Sequence, residues 1–209
     1  MALSSAAPAG SASSGAQTGR PAADEAIAEI RSIFSEFGTS DYIGEAVTQE
    51  AHALQCADLA RQAGAEAAVI AGALLHDIGH MLGLREGTTD LMDDCGVVNH
   101  EGIGRVFCDG LGFPETVGLV VEGHVQAKRY LCWKNPAYAS KLSDASKTTL
   151  RHQGGAMEDA EAAAFERSPM FDTILKMRTW DEAAKVVGKR VPTLADWEPL
   201  LHGLLKSSK

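Results

Sequence analysis

The stretch Leu74 to His80, LLHDIGH, sets His76, Asp77 and His80 in an apolar, helix-forming run where Leu and Ala would otherwise be expected. His52, His100 and His124 stand in other helix-forming segments. A lone histidine on an apolar face is usually a satisfied core residue, but burying this many unpaired polar groups would cost several kcal/mol apiece. A metal centre removes that cost. Successive helical residues point about 100° apart, so on one continuous helix His76 and Asp77 would address two neighbouring ions, which the carboxylate could bridge. His52 on one side, and His100 and His124 on the other, would complete the two shells. A second carboxylate is wanted for charge. Asp181, beside Trp180 on an apolar helix face, leads, with Asp144, Glu122 and Glu101 close rivals by pattern.

Mixed imidazole and carboxylate donors suit iron or manganese better than calcium or a thiolate-loving ion. Cys56, Cys95, Cys108 and Cys132 form no CxxC pair and none is placed as a ligand, which argues against a structural zinc site. Two ions a few ångströms apart can polarise an oxyanion, generate a hydroxide or, if redox-active, bind dioxygen. His80 follows His76 by four residues and Lys128 follows His124 by four, so each shares a helical face with a ligand candidate. An imidazole and a cation beside two metals would clamp a phosphate-like group. Lys128 reads equally well as a solvated surface lysine.

The elements that must carry these groups read as helices throughout. Apolar residues recur at three and four from Ala22 to Phe37, with Gly38 at the end, and again from Glu45 to Gln62. Glu66 to Met81 is apolar nearly all round and so belongs in the interior. A glycine-bearing acidic loop runs from Gly83 to Gly96 and is long enough to face a substrate. Further helices are expected over Val97 to Leu111, Thr116 to Tyr130, Ala137 to Arg151, Glu158 to Arg167, Met170 to Val187 and Leu194 to Leu205, each bounded by Pro or Gly. No alternating β pattern or internal repeat is visible. The expectation is an all-α bundle whose functional groups project inward.

With 209 residues, 45% hydrophobic and 6% aromatic, the chain suits one domain, expected over 22–209, behind a small, polar N-terminal tail over 1–21. A transit peptide is the rival reading of that tail, but Arg20 is its only cation. A net charge of -9 argues against nucleic acid or an anionic membrane as partner. Four unpaired cysteines and no secretory signal point to a cytoplasmic protein with reduced thiols. Oligomeric state is left open.

Several blocks go beyond what metal binding requires: DYIGEAVTQEAH, LLHDIGH, NHEGIG, EGHVQAKRYL, LSDASKTTLRHQGGAM and RTWDEAAK, spread from about Asp41 to Lys185. Together they resemble the mixed-valence di-iron oxygenases of the HD-domain superfamily, in the branch that cleaves organophosphonates. The resemblance implies an HD-type helical bundle with a dinuclear site in its core. It implies the ligands His52, His76, Asp77, His100, His124 and Asp181, with Asp77 bridging Fe(II) and Fe(III), and O2 as co-substrate. It also implies that His80 and Lys128 bind the phosphonate with help from Ser146 and Gln153, that Tyr42 covers one iron until substrate displaces it, and that Glu45 meets the amino end of the substrate. That substrate would be a 1-hydroxy-2-aminoethylphosphonate, its amine free or N-methylated, yielding phosphate and glycine or glycine betaine. The inositol-oxidising members carry Lys where His80 stands, a departure that sides this chain with the phosphonate branch. Two other readings use the same donors: an HD-type metal-dependent phosphohydrolase, and a di-iron module that senses a ligand without turnover.

Overall fold

The computed structural model describes residues 20–42 and 44–207, so the tail expected over 1–21 lies, but for Arg20 and Pro21, outside the described residues. Among the described residues there are eleven helices and no strand. They are α1 (Ala23–Phe37), α2 (Gln49–Gln62), α3 (Ala67–Leu75), α4 (Ile78–Glu86), α5 (His100–Leu111), α6 (Glu115–Lys134), α7 (Pro136–Lys141), α8 (Asp144–His152), α9 (Asp159–Glu166), α10 (Phe171–Ala183) and α11 (Leu194–Ser207).

The centre of the bundle is α3. Every residue from Val69 to Leu75 is buried, and the helix packs against α2, α6, α10 and α11. A helix with no polar face has no stable position except between others. Around it α1 contributes the stripe Ile27, Ile30, Ile33 and Phe34, and α6 contributes Val117, Val120 and Val121. A smaller core of Ala127, Tyr130, Met157, Ala162, Phe165 and Ile174 joins α9 to α6 and α10. No single helix among the described residues is long and apolar enough to cross a membrane.

The structure corrects the expected boundaries at four places that matter for the site. The helix expected from Glu45 begins instead at Gln49, where the Thr48 hydroxyl accepts the Ala51 N–H at 3.1 Å. Upstream, Tyr42 N–H donates to the Val47 carbonyl at 3.0 Å and Glu45 N–H to the Tyr42 carbonyl at 2.7 Å, which holds Glu45 in a tight turn. The run Glu66 to Met81 is two helices bent by 40°, with His76 and Asp77 at the break and Asp77 at φ -105°, ψ 11°. The loop expected from Gly83 starts only at Gly87, because α4 continues to Glu86, and it closes on α5 at Asn99 in the left-handed region. The helix expected over Ala137 to Arg151 divides at Leu142 and Ser143, where the Ser143 hydroxyl accepts the Ser146 N–H at 3.2 Å and so starts α8 as a separate helix. Elsewhere the expected ends move by a few residues: α10 stops at Ala183 rather than Val187, and α6 runs on to Lys134 rather than Tyr130.

The crossing of α4 with α5 is unusually close. A Cβ on Gly79 would stand 2.0 Å from the His100 carbonyl oxygen. That oxygen is backbone and cannot swing aside, so a hydrogen at this position is what lets His100 approach Asp77. Gly79→Ala is expected to push α5 away, lower stability measured by urea unfolding, and lose bound metal. A variant with normal metal content would show that this contact does not set the site.

Candidate metal centre

Four imidazoles converge in the core with the same anchoring. Each ring uses Nδ1 to donate to a backbone carbonyl: His52 to Ala184 at 3.0 Å, His76 to Ala73 at 2.9 Å, His100 to Val97 at 3.3 Å and His124 to Val121 at 2.6 Å. A carbonyl only accepts, so Nδ1 carries a proton and Nε2 is the nitrogen turned inward, the one a cation would bind once it is deprotonated. Three of the four carbonyls lie on the preceding turn or the residue run just before the histidine. That of Ala184 comes from the end of α10 and ties it to α2.

The inward nitrogens form two pairs. His52 Nε2 lies 3.1 Å from His76 Nε2, and His100 Nε2 lies 3.1 Å from His124 Nε2. Asp77 stands between the pairs. Its Oδ2 is 3.1 Å from His76 Nε2 and 3.6 Å from His52 Nε2, while its Oδ1 is 3.4 Å from His100 Nε2 and 3.3 Å from His124 Nε2. Asp181 joins only the first pair, its Oδ1 at 3.4 Å from His52 Nε2 and 4.0 Å from His76 Nε2. Imidazole nitrogens and carboxylates this close need positive charge between them, protons or metal ions, and the donor set fits two cations sharing one carboxylate. His52, His76, Asp77 and Asp181 could hold one, and Asp77, His100 and His124 the other. The break in the helix changes the reading of His76 and Asp77: they meet at the first position, and Asp77 alone reaches the second.

The rival carboxylates do not compete. Asp144 is fully exposed, Glu122 pairs with Arg105 at 3.2 Å, and Glu101 approaches the Nδ1 side of His100 at 3.4 Å. Asp77 and Asp181 are both buried. Burial alone would raise their carboxyls, but His76 and His124 hold Asp77, and Arg178 holds Asp181, well below the ordinary range. For His76 burial acts downward, and the Asp77 carboxylate outweighs it, raising the imidazole to about 9.

A small cavity of about 30 Å³ opens beside the two pairs. His80 reaches it. Its Nδ1 accepts the Val97 N–H at 3.0 Å, which leaves a proton on Nε2, and that nitrogen is buried with no partner. Burial lowers this imidazole to about 4, so it is a neutral donor at physiological pH. Its ring stacks on His100 at 3.9 Å, and Gly96, at φ +95°, packs against it so closely that a Cβ would come within 2.5 Å. Lys128, which the sequence left between surface and cavity, is buried and donates to Thr149 Oγ1 at 2.8 Å. Burial, with Arg178 nearby, lowers its ammonium to about 8. Ser146 and Gln153 also line the cavity, and both polar atoms of the Gln153 amide are buried without partners.

Tyr42 is buried and stacks on His52 with ring centres 3.9 Å apart. Burial, with Asp77 and Asp181 nearby, raises its phenol well above the ordinary value. Glu45 borders the cavity, but its carboxylate accepts from Lys185 Nζ at 2.6 Å, a partner not foreseen in the sequence.

Other residues were also missed. Arg178 pairs with Asp181, is buried and lines the cavity as well. Its position three residues before Asp181 was the available signal. Cys56, not expected among the ligands, comes close to one: its Sγ lies 3.7 Å from His52 Nε2, one helical turn on, and it groups with His52 and His76 as a candidate donor set. Burial, with Asp181 and Asp77 nearby, pushes its thiol well above the ordinary value. His152 and His202, given no role, hold Asp93 and Asp24 at the surface at 3.2 and 2.8 Å.

An inward-facing imidazole and carboxylate cluster in an all-helical core defines a metal-binding helical protein. Comparison with known proteins narrows this. The HD domain model matches residues 50–163, a span that contains His52, His76, Asp77, His80, His100, His124 and Lys128. The chain is 39% identical over 176 residues to the 1-hydroxy-2-(trimethylamino)ethylphosphonate dioxygenase (glycine-betaine-forming) of Leisingera caerulea, covering 84% of this chain and 88% of that protein. It is 38% identical over 186 residues to the hydroxymethylphosphonate dioxygenase of Gimesia maris, covering 88% and 90%. An uncharacterised protein of Acanthamoeba polyphaga mimivirus is 37% identical over 179 residues, covering 86% and 81%. The chain belongs to the HD-domain family, among relatives named phosphonate dioxygenases, and is an enzyme of the oxidoreductase class.

The sharing of Asp77 makes a separable prediction for metal content. Asp77→Ala is expected to lose both ions, whereas His124→Ala is expected to retain the ion held by His52, His76 and Asp181. Elemental analysis of the purified variants checks this, and equal losses from both would contradict a bridging role.

Proposed function

We propose that this chain uses O2 to cleave the carbon–phosphorus bond of a small 1-hydroxyphosphonate. The observation that carries the reading is the coincidence, in one cavity, of a two-cation donor set with a neutral His80 N–H and a buried Lys128 ammonium, both suited to an oxyanion. The names of the two relatives support the substrate class. The donor chemistry suits iron, with six ligands His52, His76, Asp77, His100, His124 and Asp181. Two irons in mixed valence would supply the activation of O2 and the oxidation of the substrate carbon.

The chain's own residues would do the positioning. His80 donates from Nε2 to one phosphonate oxygen and Lys128 supplies charge to another, exchanging its bond to Thr149 for a charged partner. Ser146 and the unpartnered amide of Gln153 complete the cradle. Held there, the substrate presents its C1 carbon and hydroxyl to the two-cation site, which turns a bimolecular encounter into an oriented one. Tyr42, stacked on His52 over the first ligand group, would exclude water until substrate arrives. The balance R–CH(OH)–PO3²⁻ + O2 → R–COO⁻ + HPO4²⁻ + H⁺ closes without an external reductant, because the C1–H and C1–P bonds supply all the electrons O2 takes up. We read the protein as cytoplasmic.

The test is oxygen uptake and phosphate release by iron-loaded protein given 1-hydroxyphosphonates. Uptake and phosphate in equal amounts are expected. Phosphate released from a phosphate ester without oxygen would favour the hydrolase instead. Lys128→Met removes a charged hydrogen bond worth about 1.5–3 kcal/mol, so kcat/KM is expected to fall about 10- to 100-fold, mainly through KM.

A further inference from the structure

The far side of the cavity carries a feature that bears on which phosphonate fits, given the reading above. Glu45 borders both the metal cavity and the larger one beside it, so its carboxylate is the group a cationic substituent there would seek, but Lys185 already donates to it at 2.6 Å. Burial pushes the Glu45 carboxyl up, and the Lys185 bond outweighs it, leaving the group below its ordinary value. The same Lys185 ammonium lies 5.7 Å from the centre of the Tyr42 ring, the aromatic face a quaternary ammonium would seek.

Beyond this pair the metal cavity adjoins a second one of about 290 Å³, bordered by Tyr138, Lys141, Ser146, Arg178, Glu182 and Lys185. A substituent on C1 could extend into it. Its acid is also matched: Glu182 accepts from Arg178 at 3.0 Å and from the Tyr138 hydroxyl, while Lys141 adds a further cation to the lining. Asp181, the remaining carboxylate on this side, pairs with Arg178 and faces the ligand histidines. A substrate ammonium entering here meets cations and no unmatched carboxylate.

We propose that Lys185 fills the position of a substrate cation beside Glu45 and Tyr42, so that the enzyme takes 1-hydroxyphosphonates whose substituent is absent, neutral or anionic. Lys185 is then a specificity determinant built into the chain immediately after Ala184, whose carbonyl anchors His52. A cationic substrate has to displace it from Glu45 before binding, and a neutral one does not.

The inference rests on the phosphonate reading of the site and is tested by binding as well as turnover. Iron-loaded protein is titrated calorimetrically with methylphosphonate, 2-aminoethylphosphonate and its trimethylated form, which lack the reacting hydroxyl. The wild type is expected to bind methylphosphonate at least tenfold more tightly than either cation. Lys185→Gln is expected to improve binding of the cationic pair about tenfold with little change for methylphosphonate, and Lys185→Arg to behave as the wild type. The kcat/KM ratio of hydroxymethylphosphonate to 1-hydroxy-2-aminoethylphosphonate should move the same way. Tighter binding of a cationic phosphonate by the wild type, or a ratio unmoved in Lys185→Gln, overturns the inference and leaves the oxygenase reading standing. Failure of every phosphonate to bind and to drive oxygen uptake overturns both.

Discussion

One carboxylate organises the centre of this protein. Asp77 turns one oxygen to His52 and His76 and the other to His100 and His124, so the two halves of the cluster are joined through the two C–O bonds of one carboxylate. It can do so because the apolar run LLHDIGH does not continue as one helix. The chain bends by 40° at His76 and Asp77, and the residue after a helix end is freed from the fixed angle between successive side chains. Three neighbouring elements depend on that bend. α4 is aimed along α5, Gly79 lets the backbones touch, and His80 comes to rest on the ring of His100.

Imidazoles buried this deeply need their second nitrogen satisfied, and here the backbone does it in all four cases. The hydrogen bond fixes ring orientation and tautomer together, the usual outer support of a metal-ligating histidine. Because the carbonyls of Ala73, Val97 and Val121 lie three residues before their histidines, the support is local to each chain segment. The exception, His52 with Ala184, makes the end of α10 part of the site and brings Asp181, Arg178 and Lys185 with it.

The electrostatics around the cluster differ in sign from those of the whole chain. The protein carries a net charge of -9, yet Asp77, Asp181 and Glu45 around the cavity are matched by Lys128, Arg178 and Lys185 before any cation is added. Added cations make the cavity positive. A small dianion would be attracted at short range although the surface as a whole repels it, because charges inside a low-dielectric cavity dominate over screened ones outside. Lysine and arginine placed on either side of the cluster also divide the cavity, one end suited to an oxyanion and the other closed to a cation.

Much of this was legible in the residues. The helical class followed from periodicity, and burial of α3 followed from its lack of a polar face. That histidines and aspartates in separate apolar helices must find one another followed from the cost of burying them alone, and the family resemblance singled out Asp181, which pattern alone put only narrowly ahead of Asp144, Glu122 and Glu101. Other features are properties of packing and have no local signal. The bend at His76 and Asp77 was invisible because the residues on both sides favour helix equally, and what separates the segments is contact with α5 and the cluster itself. Glu45 was assigned to a free carboxylate at a helix start. Its turn, and its pairing with a lysine 140 residues later, depend on where α10 ends against α2. Sequence determines which donors exist and which faces are apolar, since both are written residue by residue. Which lone pairs meet, and which charges are already spoken for, is decided only when distant segments share one interior.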